Sequence, residues 1–162
     1  MPISRDFWEV GRGFAGSAGH NGSMADRDIA CAIIEDRMAA EVVLRTEDVI
    51  AFLDHRPVFK GHVLVCPVAH VDTLLDLPDD LVLPLIGACR RIAAAMGPAL
   101  GAQGSFVAVN NVVSQSVPHL HVHVVPRSKG DGLRGFFWPR TTYADGEAAA
   151  YATLLREALA AG

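Results

Sequence analysis

Pro118-His119-Leu120-His121-Val122-His123-Val124-Val125-Pro126-Arg127 is the stretch that decides how this chain is read. Side chains of a β-strand alternate between two faces, so residues two apart share one. His119, His121 and His123 therefore line a single face, roughly 6.6–6.8 Å apart along the strand. Leu120, Val122 and Val124 take the other, which predicts a strand packed on one side against a helical layer. An isolated histidine reads as a satisfied polar side chain. Three in strict alternation are a poor cover for a core and read as chemistry.

Two chemistries use such a row. Imidazole, with an unperturbed pKa of about 6.5, is a nucleophile at neutral pH without help from a base. Crowded imidazoles resist further protonation, which keeps the attacking ring neutral while another histidine donates a proton. That suits attack on phosphorus and a covalent phospho-histidine-type intermediate. The alternative is ligation of Zn²⁺ or iron at HxHxH spacing. The carboxylate-containing patterns HxEH and HExxH that accompany a hydrolytic metal are not evident near this strand.

Outward from this stretch the pattern is strand-rich. Glu41 to Thr46 and Asp48 to Asp54 read as hairpin partners, followed by a turn at Asp54-His55-Arg56-Pro57. Gly61 to Pro67 is a third strand, Gly104 to Asn110 a fourth and His119 to Pro126 a fifth. Asp28 caps a short helix reaching Asp36, and Thr73 to Leu77 forms a helical turn. The longest helix is Leu81 to Met96, where Leu81, Leu85, Ala88, Ile92 and Ala95 recur at threes and fours. Pro78 opens it and Gly97-Pro98 closes it. Ala144 to Ala161 is an alanine-rich terminal helix. A run of strands, a long helix and two more strands predict an α+β fold with an antiparallel sheet of about five strands.

The 162 residues are 51% hydrophobic and 20% charged, which excludes a disordered chain, a coiled coil and a collagen-like repeat. A formal net charge of −4 argues against a general nucleic-acid binder. No continuous apolar run reaches the roughly 18–20 residues of a membrane span, and none resembles a signal peptide. Cys31, Cys66 and Cys89 have no CxxC spacing and read as reduced thiols. The expectation is a cytoplasmic protein. Residues 1–24 carry five glycines and no clean period, predicting a loosely structured extension, with Met24 an alternative start. Residues 25–162 then read as one domain.

HLHVHVV at His119–Val125 resembles the signature of the histidine triad family of nucleotide hydrolases and transferases. The likeness continues upstream through Asp48–Asp54, Pro57, Lys60–Pro67 (KGHVLVCP) and His70, and downstream through Pro126–Asp131. It implies a histidine triad fold in which His121 attacks the α-phosphorus of a nucleoside phosphoramidate or a dinucleoside polyphosphate. His121 would hold the nucleotidyl group covalently, His119 and His123 would orient it and bind phosphate oxygens, and His62 would complete the site. The resemblance implies that Asp54 binds the ribose hydroxyls, which its acceptor-only carboxylate supports. Phe52 and Ile33 would line the base pocket, and Gln115 and Ser116 would contact phosphate or leaving group. Asn111, or Asn110, matches the asparagine before that pair. The same resemblance implies a homodimer and a purine nucleotide as partner, with no membrane or nucleic acid. No cofactor is required for the nucleophile, although Mg²⁺ would accompany a polyphosphate.

Three departures stand out. Some relatives hold a structural Zn²⁺ with two cysteines and histidines. Here the first cysteine position is Asp28, leaving Asp28, Cys31, His70 and His119 as the corresponding set. The alternative is that His70 caps a turn and Cys31 packs. The segment from Asn111 to Gln115 is shorter than the family's and lacks glycine. Gly130 to Arg140, with Arg134, Phe136, Phe137, Trp138 and Arg140, reads either as a flap over the leaving-group side or as a docking segment. Two other functions fit the residues: a nucleotide-binding regulatory module with little turnover, and a metal-dependent hydrolase using the histidine row as ligands.

Overall fold

The computed structural model of the chain describes residues 28–133 and 141–161, so the expected extension 1–24 and most of the expected flap lie outside the described residues. The chain divides into two compact units, Met1–Arg127 and Ser128–Gly162. The first contains an antiparallel sheet of five strands: β1 (Val42–Arg45), β2 (Val49–Leu53), β3 (Val63–Pro67), β4 (Gly104–Val109) and β5 (Val122–Arg127). Their spatial order is β1-β2-β3-β5-β4. With the long helix α2 (Asp79–Leu100) and the short α1 (Ile29–Ile34), this is the α+β architecture the strand and helix patterns predict.

Parity along the strands decides what each face of the sheet does. Val49, Ala51, Val63, Val65, Val122 and Val124 form the main core together with Leu85, Ala88, Cys89 and Met96 of α2. Ile50, Phe52 and Cys66 point the other way and pack with Ala30, Ile33 and Ile34 of α1. Phe52 pairs with Leu64, and Leu64 pairs with His123. The parity of His123, and that of His62 just before β3, therefore places both on the face that α1 covers only in part.

In the first unit two boundaries differ most from the sequence expectation. Helix α2 continues past Gly97-Pro98 to Leu100. Gly97 has no Cβ to clash with the proline ring, which removes one of the reasons a helix stops before proline. The helix ends instead at Gly101, whose φ of 70° is left-handed and whose N–H donates to the Gly97 carbonyl at 2.9 Å. By length and composition α2 would suffice to cross a bilayer, but its buried stripe against the sheet is that of a core helix. Strand β5 starts at Val122, not at His119. The Leu120 N–H donates to the Val71 carbonyl at 2.6 Å, so the preceding triad residues run beside the Val71 segment. Alternation survives this change of partner, since Leu120 remains in the α2 core.

The second unit holds α3 (Glu147–Ala161), which starts three residues later than the alanine pattern suggests. Glu147 accepts from the Ala144 N–H at 2.8 Å and so closes the helix start. In the main core, Leu85 is fully buried. Leu85→Ala is expected to lower the unfolding free energy by about 2–5 kcal/mol, measured by urea titration, because the site cannot collapse around the missing atoms.

Candidate active site

Each histidine of the row has a different partner, and the partners fix which ring nitrogen carries hydrogen. His121 Nδ1 lies 2.7 Å from the His119 carbonyl oxygen. A carbonyl only accepts, so Nδ1 carries the proton and donates it, and the neutral ring keeps its lone pair on Nε2. His119 Nε2 likewise donates to the Pro67 carbonyl at 3.0 Å, which leaves the lone pair of His119 on Nδ1. His123 Nδ1 meets His62 Nε2 at 3.0 Å, so those two rings share one proton. Behind them His62 Nδ1 faces both the Val58 N–H and Asp54 Oδ2, each at 3.3 Å. If the Val58 N–H donates there, His62 donates its Nε2–H to His123 Nδ1, and His123 carries its hydrogen on Nε2. If His62 Nδ1–H donates to Asp54 instead, His123 Nδ1–H donates to His62 and its Nε2 presents a lone pair. Asp54, His62 and His123 thus form a hydrogen-bonded chain in which the tautomer of His62 sets that of His123. The three triad rings do not converge on a single point.

This group opens into a cavity of about 690 Å³. His121, His123 and Ser116 line it, as do Asp54, Phe52 and Ile33. Ile29, Met38, Leu64 and Cys66 line it too, and sequence reasoning did not assign them to a site. Leu64 and Cys66 could have been found from parity, since they share the face of His62. Met38 follows α1 in a turn with no periodicity to reveal it. Asn110 is exposed at the end of β4, whereas Asn111 Oδ1 accepts from the Leu74 N–H at 3.0 Å.

A second cluster adjoins the first through His119. Asp28, Cys31, His70 and His119 present one ligand atom each, all within 4.8 Å of one another. Cys31 Sγ lies 3.2 Å from Asp28 Oδ2, 3.2 Å from His70 Nδ1 and 3.5 Å from His119 Nδ1. Asp28 carboxylate oxygens lie 3.4 Å from His70 Nδ1 and 3.7 Å from His119 Nδ1. A tetrahedral Zn²⁺ with bonds of about 2.0–2.3 Å needs donor separations of roughly 3.3–3.8 Å. His70 Nε2 donates to Asp72 at 2.8 Å, so its Nδ1, like that of His119, turns a lone pair inward. Burial alone would raise the Asp28 carboxyl, but the Cys31 N–H and thiol, with His119, hold it below the usual range. Burial and then Asp28 push the Cys31 thiol up to about 11. The Cys31 thiol stands among three neighbouring atoms that can accept: Asp28 Oδ2, His70 Nδ1 and His119 Nδ1. The donor set fits a tetrahedral ion.

A HIT domain model matches residues 35–130. The chain belongs to the histidine triad, or HIT, family. A HIT-like protein of Methanocaldococcus jannaschii is 39% identical over 64% of this chain and 81% of its own length. The crystal structure of a HIT family protein from Bacillus anthracis superposes with a TM-score of 0.74 at 28% identity, covering 83% of this chain and 98% of that one. Two Schizosaccharomyces pombe relatives carry named activities. One is an adenosine 5'-monophosphoramidase, 29% identical over 68% of this chain and 82% of its own. The other is an asymmetrical bis(5'-nucleosyl)-tetraphosphatase, 33% identical over 58% of this chain and 53% of its own. A Zn-bound histidine triad protein from Mycobacterium smegmatis matches with a TM-score of 0.63 at 31% identity, over 83% of this chain and 96% of that one.

In this HIT domain the loop entering the triad is unusual. Val112 and Ser114 have φ of 64° and 63°, the left-handed region that glycine normally occupies. For non-glycine residues such a conformation costs on the order of 1–2 kcal/mol each. Gln115, expected to face the phosphate, uses its amide within this loop: Oε1 accepts from the Val112 N–H at 2.9 Å. Its Nε2 donates to the Asp72 and Val117 carbonyls at 2.6 and 3.0 Å.

Burial, then the neighbouring His121 and His62 rings, push the His123 pKa down to about 4. Burial also holds His62 and His119 below the ordinary histidine value of 6.5. Below about pH 6.5 the unfolded chain therefore binds protons that the folded chain refuses until about pH 4. Stability contributed by these neutral rings is full above that window and lost as pH falls through it. The expected result is a Tm that is flat above pH 7 and falls from pH 6.5 to 4.5. His123→Asn should make that fall shallower.

Proposed function

We propose that this HIT protein hydrolyses or transfers at the α-phosphate of a nucleoside phosphoramidate or dinucleoside polyphosphate, through a nucleotidyl-His121 intermediate. The observation that carries this reading is the 2.7 Å bond from His121 Nδ1–H to the His119 carbonyl, which leaves Nε2 free and basic at the cavity. In the first displacement the Nε2 lone pair attacks the α-phosphorus and a P–N bond forms. The bond from phosphorus to the leaving amine or phosphate breaks, and its electron pair departs with the leaving group. With an anionic phosphate beside it, the His62–His123 pair binds one extra proton. His123 Nε2–H is then an imidazolium acid that protonates the leaving group, and the pair returns to neutral. His123 then receives a proton from water as that water attacks phosphorus, the P–N bond to His121 breaks, and a nucleoside monophosphate is released. Asp54 at the cavity accepts from ribose hydroxyls, and Ile33 and Phe52 enclose a purine ring. His123, together with Ser116, faces the phosphate oxygens, whereas His119 keeps both ring nitrogens turned to Pro67 and the second cluster. The two named fission-yeast activities support this substrate class and leave the choice between its branches to experiment.

Rapid quench with an adenosine phosphoramidate and with a diadenosine polyphosphate, followed by peptide mass spectrometry, tests the intermediate. A nucleotidyl adduct on His121 is expected, with His121→Ala lowering kcat at least ~10⁴-fold, a loss typical of removing a catalytic nucleophile. Tight nucleotide binding with no adduct and no dependence of turnover on His121 would identify a regulatory module instead. Turnover abolished by chelation and restored by metal, again without adduct, would identify a metal-dependent hydrolase.

Asp28, Cys31, His70 and His119 would hold a structural Zn²⁺. When bound, the ion would supply a cross-link between α1, the His70 segment and the triad. No catalytic step passes through it. The Zn-bound mycobacterial relative supports this, as do the donor separations. Elemental analysis should find about one zinc per chain, and adding Zn²⁺ to stripped protein should raise Tm in proportion to the logarithm of free metal. Cys31→Ser should abolish that rise, and a Tm indifferent to metal would remove the proposal. A homodimer is the assembly this reading expects. Edge strand β4 and the exposed Val82, Leu83 and Ile86 of α2 offer surface for it.

A further inference from the structure

We propose that Gln115 is a positioning residue, an amide clamp that holds the triad's entry loop in a left-handed form its own residues disfavour. The proposal rests on the hydrolase reading above, because it concerns how that site presents Ser116 and Val117 to substrate. Three observations carry it. The Val113 N–H donates to the Asn111 carbonyl at 2.7 Å, a three-residue turn centred on Val112 at φ 64°. A three-residue turn with positive φ at its centre is rare and strained, and valine is among the worst residues for it. Ser114, at φ 63°, occupies the second central position of a turn closed from the Gln115 N–H to the Val112 carbonyl at 3.4 Å. Positive φ at that position calls for glycine or asparagine.

Such a loop persists only where its surroundings over-determine it. Gln115 joins three backbone points: Val112 at the strained turn, Val117 on the cavity wall and Asp72 on the neighbouring segment. Asn111 adds a fourth tie, to Leu74. Both amide protons and the carbonyl oxygen of Gln115 are engaged, so in this conformation the side chain acts on the reaction through the loop. Ser116 and Val117, carried by that loop, share the cavity with His121 and His123. Held in place, they present a wall that needs no rearrangement as the phosphorus is attacked. Released, Val112 and Ser114 would relax to negative φ and move that wall.

A double-mutant cycle separates a clamp from a direct phosphate contact. Val112→Gly/Ser114→Gly makes the left-handed form accessible without a clamp, and Gln115→Ala is then measured in both loops. In the native loop, Gln115→Ala is expected to lower kcat by about 30-fold with KM changed less than about threefold; in the glycine loop it should cost only about threefold, a coupling within the usual range for residues in contact. The same cycle in Tm, which needs no turnover, should show Gln115→Ala destabilising the native loop more than the glycine loop. An equal loss of kcat/KM in both loops would assign Gln115 to the substrate itself and overturn the clamp. Absence of a His121 adduct in the unaltered chain would defeat the hydrolase reading, and the Tm cycle would still decide the clamp.

Discussion

The 2.7 Å bond from His121 Nδ1–H to the His119 carbonyl is the contact on which the site depends. It selects one tautomer of a neutral imidazole and leaves the ring's lone pair on Nε2, the nitrogen that attacks in the proposed reaction. That carbonyl is itself held, because the ring of the same residue donates to Pro67 through Nε2 and faces Asp28 and Cys31 through Nδ1. One fully buried residue, His119, thereby ties the nucleophile to β3 and to the start of α1. Local backbone geometry, more than any charge, prepares His121 for reaction.

The sheet makes the arrangement possible by a division of labour between its faces. Odd positions of β2 and β3 fill the core beneath α2, while even positions meet α1 and the cavity. Because β5 is inserted between β3 and β4, His123 falls opposite Leu64 and within reach of His62, which lies far away in sequence. The contact with Asp54 follows from the β2–β3 connection, whose ends are drawn together where the Asp54 N–H donates to the His62 carbonyl at 3.0 Å.

Much of this was legible in the residues. Strict alternation in HLHVHVV pointed to the strand and to a functional row, and the family resemblance pointed to Asp28, Cys31, His70 and His119 as a second set. What was not legible depended on partners distant in sequence. The pattern alone could not show that Leu120 would bond Val71 and delay the start of β5. Gly97-Pro98 carries the residues of a helix stop, but the helix runs on to its left-handed cap at Gly101. The family resemblance assigns Gln115 to phosphate or leaving group. Its three backbone partners exist only once the loop is folded and could not be read from the residues. Left-handed Val112 contradicts its own propensity, and no local rule would have placed it there.

The walls contributed to the cavity by Ile29, Ile33, Phe52 and Leu64 carry no hydrogen-bonding side chain. Such surfaces respond to the area of a flat ring and hardly to the groups on its edge, since an apolar pocket separates near-isosteres by only about 1–3 kcal/mol. The letter of the base is therefore a weak message here. Under the proposed function, discrimination would rest on the sugar and the phosphorus, and on the bond broken and the group that leaves.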